Sequence, residues 1–230
     1  IDESYSMTNI ILQHFDGELR ELDKLSIKNI QNYAKMVGAE YRLITGKPFR
    51  KHLTSPCQKV YMLDSEFDKY DQVLMLDIDM FAPKGMTENI FNETGVGLYA
   101  AIQKNLHHRL VSNYASITSI NSPYWGGAIY KMDLKTRKLL RTNTHPDERW
   151  MNAFNKPYHY EDEGIMHVYA TMANLKFTSN MILDKKWCQC SFLPNPEKAG
   201  FIHVRTKVTP QGPKQEKIKN YNALIAGDIL

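Results

Sequence analysis

The run Val73-Leu74-Met75-Leu76-Asp77-Ile78-Asp79-Met80-Phe81 constrains this chain more than any other segment. Unbroken apolar residues end abruptly in two carboxylates, and apolar residues then resume. Four consecutive apolar residues behind Asp77 read as a strand buried on both faces, as in a parallel sheet. Acids at the exit of such a strand lie where open α/β sheets bind ligands. A buried carboxylate needs a cation or strong donors. Mg²⁺ or Mn²⁺ recruits one or two carboxylates together with substrate phosphates, and so satisfies both acids. The pair therefore points to a metal-bridged phosphate leaving group. The competing reading of an Asp-x-Asp is a solvated turn or a helix cap, and the rest of the chain has to separate the two.

The chain of 230 residues is long enough for one large domain or two small ones, and its apolar content of 43% supports a sizeable core. A net charge of +4 suits an anionic small ligand. No Lys/Arg cluster is dense enough to track a phosphate backbone, so no nucleic-acid partner is expected. Cys57, Cys188 and Cys190 form no disulfide framework, and Cys188-Gln189-Cys190 is too tight for the usual zinc spacing. Reduced thiols and a cytoplasmic setting are expected. No apolar stretch approaches the ~20 residues that span a bilayer, so neither a membrane span nor an anchor is expected. Ile1 to Ser6 reads as a remnant or extension ahead of Met7, and further domains of a longer polypeptide are compatible with the sequence.

Asn9 to Gln13 reads as a first strand, followed by a turn at His14-Phe15-Asp16-Gly17. From Glu18 to Val37, Leu19, Leu22, Leu25, Ile30, Tyr33 and Val37 fall on one helical face, and Gly38 ends the helix. Glu40 to Thr45 is a second strand, Gln58 to Phe67 a second helix, and Gln72 to Leu76 the strand that ends at Asp77. This alternation is the nucleotide-binding half of a doubly wound α/β sheet. Later, Val96 to Ala101 and Gly127 to Met132 read as strands, and Glu163 to Ala173 as a helix opening at an acidic cluster. Phe201 to Val204 reads as a short strand, and Lys214 to Ala226 as a polar helix or tail. One domain over 7–230 is expected, with halves at 7–100 and 101–210 and a tail at 211–230.

Three further motifs carry chemistry. In Tyr124-Trp125-Gly126-Gly127-Ala128, two glycines let backbone approach a ligand closely, and Trp125 offers a face to a sugar ring. A simple β-bulge is the alternative. Tyr160-Glu161-Asp162-Glu163-Gly164 packs carboxylates at a helix start; they either cap the helix or place Asp162 for sugar orientation or general-base work. In Gly200-Phe201-Ile202-His203-Val204-Arg205-Thr206-Lys207, His203, Arg205 and Lys207 share one face of an extended strand. A neutral imidazole there can ligate a metal, and the cations can hold a diphosphate.

In chain order, the first-strand turn, Asp77-Ile78-Asp79, Trp125-Gly126-Gly127, Glu161-Asp162 and His203 with Lys207 resemble the glycosyltransferase A fold. Within it they resemble the glycogenin-like and lipopolysaccharide-galactosyltransferase-like sugar-nucleotide transferases. After His203 the chain departs from the glycogenin-like ending, with only Lys207 as an evident counterpart. The runs His14 to Arg20, Leu76 to Pro83 and Lys185 to Cys190 resemble the amino-terminal domain of chlorovirus-encoded glycosyltransferases, which build capsid-protein N-glycans. The resemblance implies a Rossmann-like nucleotide half with a mixed sheet, joined to an acceptor half. It also implies a UDP-sugar donor, UDP-L-rhamnose in particular, and an oligosaccharide or glycoprotein acceptor. It implies Mn²⁺ or Mg²⁺ on Asp77, Asp79 and His203, with Asp77 also a candidate for the ribose. Gln13, His14 and Phe15 would form the uracil pocket, and Lys59 would contact base or phosphate unless it is an exposed helix lysine. Trp125, Gly126 and Gly127 would line the donor sugar, Lys207 would hold the diphosphate, and Asp162 would be the catalytic carboxylate. Two other classes share parts of this pattern: a sugar-nucleotide hydrolase or nucleotidyltransferase, and a non-catalytic glycan-binding domain.

Overall fold

The computed structural model describes residues 8–97, 107–108, 110–112, 117–143, 161–191, 195–205 and 216–230. Its centre is a four-stranded mixed sheet. In chain order the strands are β1 (Asn9–Phe15), β2 (Glu40–Thr45), β3 (Gln72–Leu76), β4 (Met80–Phe81), β5 (Ile129–Asp133), β6 (Gln189–Cys190) and β7 (Ile202–His203). The large sheet runs β2-β1-β3-β5, with β1 parallel to β2 and β3, and β5 antiparallel to β3. A small sheet, β4-β7-β6, lies beyond the carboxyl end of β3.

The apolar run before Asp77 is buried on both faces, as its composition predicts. Val73 and Met75 join Leu12, Tyr130 and Met132 in one core, whereas Leu74 and Leu76 join Ile11 and Ile129 in the other. The period-2 alternation of a strand sends successive side chains to opposite layers. Helix α1 (Glu21–Met36) covers the second face through Ile30, Tyr33 and Ala34. It starts three residues later than the apolar pattern suggests, because Arg20 caps it. The Arg20 backbone N–H donates to Asp23 Oδ2 at 2.9 Å, and its guanidinium grips the same buried carboxylate. The helix ends as expected: Gly38 takes φ +69°, and the Ala39 and Gly38 N–H groups return to the Ala34 and Lys35 carbonyls.

The first face is covered by α2 (Leu134–Thr142), α3 (Glu161–Met172) and the segment predicted as a helix over Gln58 to Phe67. That segment is instead two 3-10 turns, Ser55–Leu63 and Ser65–Phe67. Asp64 separates them: its backbone is extended and its carboxylate caps the second turn at Glu66 N–H, 2.9 Å. The three-residue period lines up Cys57, Val60 and Leu63 against the core.

The other elements follow the sequence reading with shifted ends. The strand expected from Gly127 begins at Ile129, the helix expected from Glu163 begins at Glu161, and the late strand is the two residues Ile202–His203. The terminal helix α4 is Lys217–Ala226, docked through Leu224 onto Leu22, Phe81, Ile202 and Val204. Of the strand expected over Val96 to Ala101, residues 96 and 97 are not in a strand and the rest lie outside the described residues. Ile1 to Ser6 also lie outside them. Among the described residues, no helix is long and apolar enough to cross a membrane, and the cysteines are free.

Candidate active site

The site is assembled where the two sheets meet. Asp77 leaves the end of β3, and its N–H donates to the Ala128 carbonyl at 3.0 Å, continuing the β3–β5 ladder by one step. Asp79 lies in the turn before β4. There β4 pairs antiparallel with β7, matching Met80 with His203, and the Val204 N–H donates to the Asp79 carbonyl at 2.9 Å. Backbone pairing alone therefore sets His203 beside Asp79. Its Nε2 is 3.0 Å from Asp79 Oδ1 and 3.8 Å from Asp77 Oδ2.

Ligand atoms of Asp77, Asp79 and His203 all lie within 4.8 Å of one another. Two carboxylates and an imidazole suit a divalent cation of the Mn²⁺ or Mg²⁺ kind, with the nitrogen favouring the transition metal. Burial would raise the Asp79 carboxyl, but His203 and the Lys217 ammonium outweigh it and hold the group well below the usual carboxylate range. Burial would likewise neutralise His203, yet Asp79 pushes it up to about 10. As a metal ligand the imidazole would release that proton.

A second layer sits behind the acids. Lys59, carried into the core by the 3-10 turn, places Nζ 2.7 Å from Asp77 Oδ1, 2.9 Å from Asp162 Oδ2 and 2.5 Å from the Gly127 carbonyl. Those acceptors match its three N–H donors. Burial opposes the charge, but Asp162 and Asp77 more than restore it and raise the ammonium above lysine's ordinary value. The exposed-lysine reading is thus corrected: Lys59 is buried and bridges the two acids. Asp162, in the first turn of α3, also accepts the Tyr130 hydroxyl at 2.9 Å.

Next to it, Glu163 accepts the Gly127 N–H at 2.6 Å, and Tyr124 OH lies 3.3 Å from its other oxygen. A Cβ on Gly127 would stand 2.9 Å from Asp162 Oδ2 and 3.0 Å from Glu163 Oε1. The glycine is needed for this approach of backbone to the acids. Gly126 is buried beside it.

Other predicted site residues fall differently. Gln13 is buried, donating to Ser26 Oγ at 3.0 Å and to the Asp77 carbonyl at 3.1 Å while accepting from Tyr41. It braces the turn that carries the acids. His14 is buried against the Gly46 carbonyl at 2.7 Å, and burial lowers its pKa. Phe15 is half-buried, with the Arg20 guanidinium 5.9 Å over its ring. Trp125 is 1% exposed, packed onto Gly97 so tightly that a Cβ there would stand 1.7 Å from the indole. The face expected to stack on a sugar is covered. Arg205 turns towards Cys190, and Lys207 lies outside the described residues.

Sequence reasoning missed Lys217, which ion-pairs with Asp79 from α4, and the bracing by Tyr130, Glu163 and Ser26. The acidic run at Glu161–Glu163 marked Glu163, but nothing local marked Lys217. A cavity of about 420 Å³ lined by Asp71, Gln72, Phe91, Glu93, Lys131 and Asp133 opens at the other end of β3, away from these acids.

The mixed α/β sheet that carries the acid pair at the end of its parallel strands has the glycosyltransferase A fold. Solved structures agree. A glycosyltransferase involved in glycosylation of the major capsid of PBCV-1 matches with a TM-score of 0.54 and 10% identity, over 95% of this chain and 99% of that one. The galactosyltransferase LgtC, in complex with donor and acceptor sugar analogs, matches with a TM-score of 0.50 and 11% identity over 96% of each chain. At these identities the likeness is one of fold. No protein-family model and no curated protein matches the sequence.

Proposed function

We propose that the chain is a divalent-metal-dependent glycosyltransferase that moves a sugar from a UDP-sugar to an oligosaccharide acceptor. The Asp77–Asp79–His203 cluster, at the carboxyl end of β3 in a sugar-nucleotide transferase fold, carries this reading. In the reaction an acceptor hydroxyl oxygen bonds to the anomeric carbon, the bond from that carbon to the diphosphate breaks, and the hydroxyl proton is released. Asp77, Asp79 and His203 would hold the cation, which supplies Lewis-acid neutralisation of charge on the departing UDP.

Asp162 orients the donor sugar and balances positive charge at the anomeric carbon. Both of its closest contacts, Lys59 and Tyr130, fall on Oδ2, which favours a fixed orienting role over proton abstraction. That arrangement is in keeping with retention of configuration. Lys59 keeps Asp77 and Asp162 compatible in one site. His14 and Phe15, at the end of β1, remain our candidates for the base, and Gly126 and Gly127 for the donor sugar. Gln13 and Trp125 support these from beneath, and Lys207 is our candidate for the diphosphate. The finer reading, UDP-L-rhamnose as donor and a viral capsid glycan as acceptor, rests on the resemblance to the chlorovirus enzymes.

The test is product analysis of UDP-sugars incubated with Mn²⁺, with and without glycan acceptors. A new glycosidic product supports transfer. Acceptor-independent release of free sugar, or exchange of pyrophosphate, would reassign the site to a hydrolase or a nucleotidyltransferase.

A further inference from the structure

We propose that Lys217 is the resident counter-ion of this site: its ammonium stands beside Asp79 until a divalent cation displaces it, and it then engages the nucleotide's diphosphate. The proposal rests on the metal-dependent reading above and concerns a residue that reading does not use.

Both oxygens of Asp79 are already taken by protein cations, Oδ1 by His203 and Oδ2 by Lys217. His203 can stay and become a ligand, whereas an ammonium has no lone pair to give a metal and is repelled by a dication on the same carboxylate. His203 is fixed by the β4–β7 backbone pairing. Lys217 instead reaches in on a flexible four-carbon stem, and its side chain is 37% exposed. Of the two, Lys217 is the partner free to leave.

The helix that carries it does not depend on that ion pair. Asn220 Nδ2 donates to the Arg205 carbonyl at 2.6 Å, Tyr221 packs on Phe81 with ring centroids 5.2 Å apart, and Leu224 is buried against Leu22 and Ile202. A displaced Lys217 therefore stays tethered at the rim of the acid pair.

Charge gives it somewhere to go. A dication, Lys59 and Lys217 together match the carboxylates of Asp77, Asp79, Asp162 and the adjacent Glu163, so no negative charge is left over to repel a diphosphate. Lys217, released from Asp79, is then the cation at the rim that an anionic diphosphate meets.

The experiment is calorimetry on the whole chain, first with Mn²⁺ alone and then with UDP in saturating Mn²⁺. Lys217→Met is compared with Lys219→Met, an exposed lysine that loses the same charge without touching Asp79. Lys217→Met should bind Mn²⁺ alone roughly two- to fivefold more tightly than the control, the scale of a partly exposed ion pair. It should bind UDP at least threefold more weakly. Unchanged Mn²⁺ affinity, or UDP binding no weaker than the control, would overturn the exchange while leaving the metal site intact. If no variant binds Mn²⁺, the metal-dependent reading falls, and this proposal with it.

Discussion

Replacing Lys59 by methionine tests the buried charge arrangement most severely. The substitution keeps side-chain length and removes the only group that contacts both Asp77 and Asp162 among the described contacts. The side chains of Lys59 and Asp162 are 8% and 6% exposed, so solvent screens this pair little. Removing one member of such a pair leaves an uncompensated buried charge and costs about 3–5 kcal/mol. Asp77 is 28% exposed and regains some water, which places the expected loss near the lower end, about 3 kcal/mol. For a chain of this size that lowers Tm by roughly 6–12 °C.

Asp162→Asn removes one of the two stranded charges. The Lys59→Met, Asp162→Asn double variant should therefore be more stable than the two single effects predict, with a coupling of about 1–3 kcal/mol. Thermal and urea unfolding of the four proteins measure this. A Lys59→Met loss below about 1 kcal/mol, or strictly additive effects, would refute the bridging role.

Gly127→Ala should lose about 1–3 kcal/mol and most turnover, since its Cβ meets the Asp162 and Glu163 carboxylates; a fully active, equally stable variant would remove the close-approach argument. Asp162→Asn should abolish transfer while changing UDP affinity little, read from single-turnover kinetics beside calorimetry; turnover within about threefold of the parent would leave Asp162 as a helix-start residue only. Burial, assisted by His107, lowers His167 to about 4 against a slight rise from the Pro123 carbonyl. The neutral form is favoured in the fold, so its contribution is complete above pH 6.5 and is lost as pH falls towards 4. Between pH 7 and 5 this amounts to about 2 kcal/mol, and His167→Phe should flatten the urea-measured stability profile by that amount. An unchanged profile would show that His167 is not the group responsible.

Much of the scaffold is legible because local pattern and burial coincide. The unbroken apolar run before Asp77 announces a strand covered on both faces, and the two cores that share its side chains are the physical reason. Asp77, Asp79 and His203 carry a chemical signal of their own, acids ending a strand and an imidazole on a short apolar one. The 3-10 turns are less legible, since Gln58 to Phe67 has enough apolar residues for an α-helix and its one visible interruption is the Asp64 cap.

Trp125 reads as a stacking platform because it adjoins two glycines. No local feature reveals that Gly97 packs against its indole. Lys59 and Lys217 are the least legible. A lysine's usual place is solvent, and their partners lie on other elements, Asp79 being 138 positions from Lys217. Contacts of that kind arise from topology, here the delivery of α4 and the 3-10 segment to the same strand end.

On the reading proposed above, Asp77, Asp79 and His203 hold a divalent cation through which a nucleoside diphosphate is recognised. Calorimetric titration of UDP into the chain, once with saturating Mn²⁺ and once with excess chelator, measures it directly. Binding should be at least tenfold tighter with Mn²⁺, and that difference should be lost in Asp79→Asn and His203→Ala proteins that remain folded. Equal UDP affinity in Mn²⁺ and in chelator would contradict it.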